Sequence, residues 1–148
     1  MPPYPPTVAK PGSHDIADVN GTMLEYEAVG DGPAVVLLHG LTLDRRMWDD
    51  QIDALSAAHR VLRYDLRGFG RPADPRVGEE YTHADDLRGL LAHLDIPSAT
   101  VAGLSMGGWI ALEFTLTYPR RCGRAGARRR GGAPLSVSRG VGGQTLRG

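Results

Sequence analysis

Ser105 stands at the centre of Gly103-Leu104-Ser105-Met106-Gly107, a G-x-S-x-G run. The apolar stretch ATVAG (99–103) precedes it, and a mostly apolar stretch of helical length, Met106 to Thr117, follows it. Glycines on both sides let a chain turn sharply from strand to helix without Cβ clashes, which lifts the serine hydroxyl out at the carboxyl end of a sheet. The helix N-terminus behind it favours developing negative charge. Such a hydroxyl can attack an electrophilic carbonyl once a base takes its proton. The competing reading is a Gly-Ser turn with no chemical role, because the bare pattern arises often by chance. Its position between a strand and a helix favours the nucleophile.

Several elements must position that serine. IADVNGTMLEYEAVG (16–30) reads as two strands around an Asn20-Gly21 hairpin turn, and Asp31-Gly32-Pro33 as a second turn. AVVLL (34–38) is a continuous aliphatic run, as in a strand buried on both faces, and His39-Gly40-Leu41 follows it directly. Trp48, Ile52 and Leu55 recur at helical spacing and predict a helix over 44–58. RVLRY (60–64) is the next strand. Leu87, Leu90, Leu91 and Leu94 form the stripe of another helix, with Thr82 and Asp85 as a capping box and Pro97 beyond its end. The helix over 106–117 is apolar on most sides and is expected to be buried, with Trp109 in the core. Strands alternating with helices predict an α/β fold: a mixed, mostly parallel sheet with helices on both faces.

The charge balance divides the chain. Residues 1–119 carry nine basic residues against all 17 acidic ones, a balance of −8, while 120–148 carry eight arginines and no acid. The overall zero is two opposite halves cancelling. Five of the 11 prolines lie in residues 1–13, which read as an extended, disordered leader. The leader has no apolar run like that of a secretory signal, and no stretch approaches 18 apolar residues. The expectation is a cytoplasmic protein with no membrane contact. Cys122 is the single cysteine, so no intrachain disulfide can form.

Four ordered motifs together give the sequence a family likeness: LLHGL (37–41), YDLRGFGR (64–71), YTHADDLRGLLAHLDI (81–96) and VAGLSMGGWIALEFTLTYP (101–119). Over about residues 16–119 the chain resembles the α/β-hydrolase family, in its branch of esterases, lactonases, cofactor-free haloperoxidases and epoxide hydrolases. The resemblance implies that Ser105 is the nucleophile and that Gly103 and Gly107 flank its elbow. It implies that the backbone N–H groups of Leu41 and Met106 form the oxyanion hole. His39 and Gly40 would support the oxyanion loop, and His39 would not be the catalytic base. Asp65-Leu66-Arg67-Gly68 would be a structural turn near the mouth of the site. The substrate implied is a small carboxylic ester or lactone, with no metal and no organic cofactor. Serine at the nucleophile position argues against the dehalogenase and epoxide hydrolase branches, which use aspartate there.

Two departures stand out. In this fold the triad runs Ser, then Asp or Glu, then His along the chain. After Ser105 the sequence holds one acid, Glu113, and no histidine; His14, His39, His59, His83 and His93 all precede it. The chain by itself is therefore expected to be weak or inactive. The second departure begins at Cys122, where the family continues with a hydrophobic strand ending in Asp. CGRAGARRRGG stands there instead. Residues 14–121 thus read as the N-terminal half of a hydrolase domain. Residues 122–148 read as a disordered Arg/Gly tail, leaving strand 99–103 as an open edge prone to aggregation. Common Ala, Gly and Arg codons for residues 125–130, displaced by one nucleotide, can spell Leu-Val-Leu-Val-Asp-Ala, which points to a frameshift. An alternative makes the chain a non-catalytic binding or scaffold protein whose tail grips anionic partners such as nucleic acid. Against this, the tail has no aromatic residue for base stacking and the body is acidic. The sequence leaves the oligomeric state open.

Overall fold

The computed structural model describes residues 13–69, 80–128 and 134–138. The leader over 1–12, Gly70 and Arg71 of the second motif, and residues 129–133 and 139–148 of the tail lie outside the described residues. Strand β1 (Ser13–Val19) pairs antiparallel with β2 (Thr22–Val29) across Asn20 and Gly21. Both turn residues adopt positive φ, 49° and 75°, as a tight hairpin turn of this hand requires. β2 pairs antiparallel with β4 (Arg60–Tyr64), and β3 (Ala34–Leu38) lies parallel between β4 and β5 (Ala99–Leu104). Among the described residues the strands form a seven-stranded mixed sheet of order β1-β2-β4-β3-β5-β6-β7, parallel through its centre.

Alternation along the central strands gives each face its own core. Val36 and Leu38 of β3, Leu62 and Tyr64 of β4 and Val101 of β5 meet helices α2 (His83–His93) and α3 (Met106–Thr117). Val35, Leu37 and Val61 point the other way, onto Ile52 of α1 (Asp49–Ser56), with Trp48 and Leu55 at its margin. Each fully buried Leu or Val stabilises the fold by about 1.5–3 kcal/mol relative to exposure. Leu87, Leu90 and Leu91 of α2 are all fully buried. Thr82 caps α2 by accepting the Asp85 N–H at 3.0 Å. The reciprocal half of the box is not made: the Asp85 carboxylate takes the Tyr118 hydroxyl instead, which draws it below its ordinary pKa.

Three expectations need correction. The helix predicted over 44–58 opens as a 3-10 turn, Arg45–Trp48, before α1 begins. The Asp44 carboxylate caps that turn at the Arg46 N–H, and contacts from β4 fix the Arg45 backbone. The second correction concerns α3. Its sides toward the sheet and α2 are buried, but Trp109 is 69% and Leu116 72% exposed, and Glu113 is exposed as well. A helix apolar all round shows no preferred side in its periodicity, so the sequence could not say which side lacks a neighbour.

The third correction is the edge. Cys122–Arg128 forms strand β6, parallel to β5, and Pro134–Ser138 forms β7, antiparallel to β6. β5 is therefore not an open edge. Strand pairing is made by backbone N–H and C=O groups, which every non-proline residue carries whatever its side chain. Cys122 is buried, and its thiol meets the Thr115 hydroxyl of α3 at 3.5 Å. Burial pushes this thiol's pKa up, away from reactivity.

Candidate active site

Ser105 sits between the last residue of β5 and the first of α3, with φ 52° and ψ −112°. Positive φ is uncommon for a non-glycine residue and carries strain of order 1 kcal/mol or more. Close packing around the turn sustains it. A Cβ on Gly103 would lie 2.2 Å from the Gly107 carbonyl carbon. One on Gly107 would lie 2.3 Å from the Leu38 carbonyl oxygen and 2.7 Å from that of His39. Gly103 therefore lets α3 start against the end of β5, Gly107 lets it press onto the end of β3, and the serine between them is exposed. The Ser105 carbonyl accepts the Trp109 N–H at 3.1 Å as the helix begins.

The segment after β3 runs beside this turn. A Cβ on Gly40 would come within 3.3 Å of the Leu104 carbonyl oxygen, so residues 40 and 104 are near neighbours. Gly40 O accepts the Leu43 N–H at 3.2 Å, Thr42 adopts φ 64°, and the Leu41 side chain is 59% exposed. The structure thus brings His39 next to Gly107 and Gly40 next to Leu104, with Leu41 following Gly40 in the chain and Ser105 and Met106 lying between Leu104 and Gly107.

His39 is fully buried, and both its ring nitrogens are engaged. Nε2 accepts the Leu66 N–H at 3.0 Å, and Nδ1 lies 2.9 Å from Gly40 O. An acceptor at Nε2 and a carbonyl at Nδ1 fix the neutral tautomer with the proton on Nδ1. This ring has no free lone pair for a serine proton. Phe69 packs edge-on against it at 5.5 Å between centroids.

The other histidines make contacts elsewhere. His14 meets the Arg45 guanidinium, His59 Nδ1 lies 3.3 Å from Leu55 O, and His93 packs edge-on against Tyr26. His83, at the start of α2, packs edge-on against Tyr81; burial lowers its pKa, and its Nδ1 is buried with no hydrogen-bond partner among the described residues. Among the described residues, no cluster of three or more His, Cys, Asp or Glu side chains could hold a metal ion. A cavity of about 430 Å³ lies between α2 and the β1–β2 hairpin, lined in part by Asn20, Glu80, Asp86 and Gly89. Its lining includes neither Ser105 nor any of the residues 39–41, 103, 106 and 107.

Sequence reasoning took Asp65 and Arg67 only as part of a structural turn and passed over the charged side chains they join. Arg63 and Asp65 are both buried, and so is Glu27. Asp65 Oδ1 accepts the Arg45 N–H at 2.8 Å, and Oδ2 takes the Arg45 guanidinium. Arg63 donates to Glu27 at 2.9 and 2.7 Å, to Asp49, and to Arg45 O at 3.1 Å. Arg67 forms a fork with both Asp86 oxygens, at 2.9 and 2.8 Å, and caps Asn20 O at 3.1 Å. Charged residues inside a strand, as in RVLRY-Asp65, are the signal that could have marked them, since buried charges need partners.

The sequence pattern of the alpha/beta hydrolase fold family matches residues 33–125. The chain belongs to the α/β-hydrolase fold family. This α/β-hydrolase chain is 36% identical over 103 residues to a soluble epoxide hydrolase of Corynebacterium sp., covering 69% of the chain and 36% of that protein. It is 35% identical over 103 residues to the AB hydrolase superfamily protein YisY of Bacillus subtilis, covering 68% of the chain and 38% of that protein. Among solved structures it is similar to the enol-lactonase of Burkholderia xenovorans, at 38% identity and TM-score 0.70, covering 75% of the chain and 45% of that structure. The chain spans about a third of the length of the curated relatives it matches. Among the described residues, no helix is long and apolar enough to cross a membrane.

Proposed function

We propose that this chain carries the nucleophile half of a serine hydrolase acting on a small carboxylic ester or lactone. The observation behind the reading is Ser105 at positive φ, exposed in a glycine-flanked turn between β5 and α3. Ser105 Oγ attacks the substrate carbonyl carbon. The resulting oxyanion takes hydrogen bonds from the Leu41 and Met106 N–H groups, each donor supporting the rate by about 2.7–4 kcal/mol in comparable sites. Collapse expels the alcohol and leaves an acyl-serine, which water hydrolyses. Serine in place of a carboxylate, together with the lactonase neighbour, favours esters and lactones over epoxides. The base and its orienting acid have no counterpart after Ser105 in this sequence, and His39 is committed elsewhere. Turnover by this chain alone is therefore slow, supported by the oxyanion site and substrate binding.

A fluorophosphonate probe with peptide mapping tests this reading. The expected adduct is on Ser105 and is absent from Ser105→Ala. Labelling that persists in Ser105→Ala, or that maps elsewhere in the wild-type chain, would remove Ser105 from the mechanism.

A further inference from the structure

The segment over 39–45 is held at both ends by Arg63 of β4 and by Asp65 and Leu66 just past that strand's end. At its start, His39 Nε2 accepts the Leu66 N–H at 3.0 Å. At its end, both backbone polar groups of Arg45 are engaged by side chains of the same stretch. The Arg45 N–H donates to Asp65 Oδ1 at 2.8 Å, and the Arg45 carbonyl accepts from Arg63 at 3.1 Å. Arg63 lies in β4 and Asp65 one residue past its end, and both reach the Arg45 backbone. Each is itself anchored: Arg63 by Glu27 and Asp49, and Asp65 through its own N–H to Glu25 O at 3.1 Å. Between the two fixed ends lie the Gly40–Leu43 turn, which carries Leu41, and Asp44, whose carbonyl accepts the Met47 N–H at 3.1 Å.

We propose that Asp65 and Arg63 are positioning residues that clamp the Arg45 backbone and so fix where the Leu41 N–H points beside Ser105. The proposal rests on the reading of Ser105 and Leu41 given above. It extends that reading to two residues that touch no substrate. A carboxylate that only ion-paired with the Arg45 guanidinium would hold a side chain. Accepting the Arg45 N–H holds the chain itself. A shift of about 1 Å in a group that must meet a developing charge can cost on the order of a hundredfold in rate.

Three variants separate the clamp from a plain ion pair. Asp65→Asn keeps an oxygen for the Arg45 N–H and loses the charge. Asp65→Ala loses both. Arg45→Met keeps the backbone bond and loses the ion pair. The first readout is amide hydrogen exchange at Leu43 and Arg45, compared with the β3–β4 ladder amides. Asp65→Ala should speed exchange at 43 and 45 by at least about tenfold while the ladder stays protected. Asp65→Asn and Arg45→Met should stay within about threefold of wild type. The second readout is the rate of fluorophosphonate labelling, expected to fall by about ten- to a hundredfold in Asp65→Ala and to be restored in Asp65→Asn. The clamp is wrong if Asp65→Asn or Arg45→Met loosens the amides as much as Asp65→Ala, or if Asp65→Ala loosens neither. Should Asp65→Ala fail to fold, the Asp65→Asn and Arg45→Met exchange rates still decide. Absence of any Ser105 adduct in the wild-type chain counts against the nucleophile reading alone, because exchange at 43 and 45 needs no chemistry.

Discussion

Replacing Gly107 by alanine adds one methyl group at the closest contact between α3 and the sheet. That methyl would lie 2.3 Å from the Leu38 carbonyl oxygen, 2.7 Å from the Leu38 carbonyl carbon and 2.7 Å from the His39 carbonyl oxygen. All three atoms are backbone, so no side chain can swing away. An ordinary contact begins at about 3.4 Å, so helix and strand must separate by about 1 Å. Overpacking of this kind costs roughly 1–3 kcal/mol and occasionally more. Alanine returns up to about 1 kcal/mol through helix propensity. With backbone on both sides the upper end of the range applies, and the expected net loss is about 2 kcal/mol. For a urea slope of about 2 kcal/mol/M, the unfolding midpoint falls by about 1 M. Gly123→Ala is the control, because its nearest contacts lie at an ordinary 3.7 Å. Urea unfolding followed by circular dichroism measures both. Equal midpoints for Gly107→Ala and Gly123→Ala would refute the argument that α3 and β3 need a glycine between them.

Two further outcomes are expected. Arg63→Met leaves Glu27 buried and unpaired and should cost about 3–5 kcal/mol in urea unfolding, with much of the loss recovered in the Glu27→Leu/Arg63→Met pair. An unchanged single variant would show that the pair contributes no net stability. His83 titrates with a lowered pKa because burial disfavours its charged form. Its contribution is therefore present above its ordinary value of about 6.5 and is lost as pH falls below it. His83→Gln should flatten the decline in stability between about pH 7 and 5; a decline as steep as that of the wild type would place its origin elsewhere.

Local signals fixed much of this protein before any packing was known. The Asn20-Gly21 turn, the AVVLL strand, the Leu87–Leu91 stripe and the strand-Gly-x-Ser-x-Gly-helix order depend on backbone permissiveness and on the 2.0 and 3.6 periods. Those are properties of neighbouring residues. They were also enough to place residues 39–41 and 103–107 as candidates, and the fold brings the two groups together. Three other features were decided by the tertiary structure. Which side of α3 is left without a neighbour among the described residues depends on what packs there, and Trp109 and Leu116 proved to be on the exposed side. Whether 122–128 joins the sheet depends on the hydrogen-bonding edge that β5 offers, which the Arg/Gly composition does not record. The clamp on Arg45 joins residues 18 and 20 positions apart in the chain, and only the pairing of β3 with β4 makes them neighbours. A sequence records which groups are charged or apolar; burial and long-range pairing decide which of them must find a partner, and where.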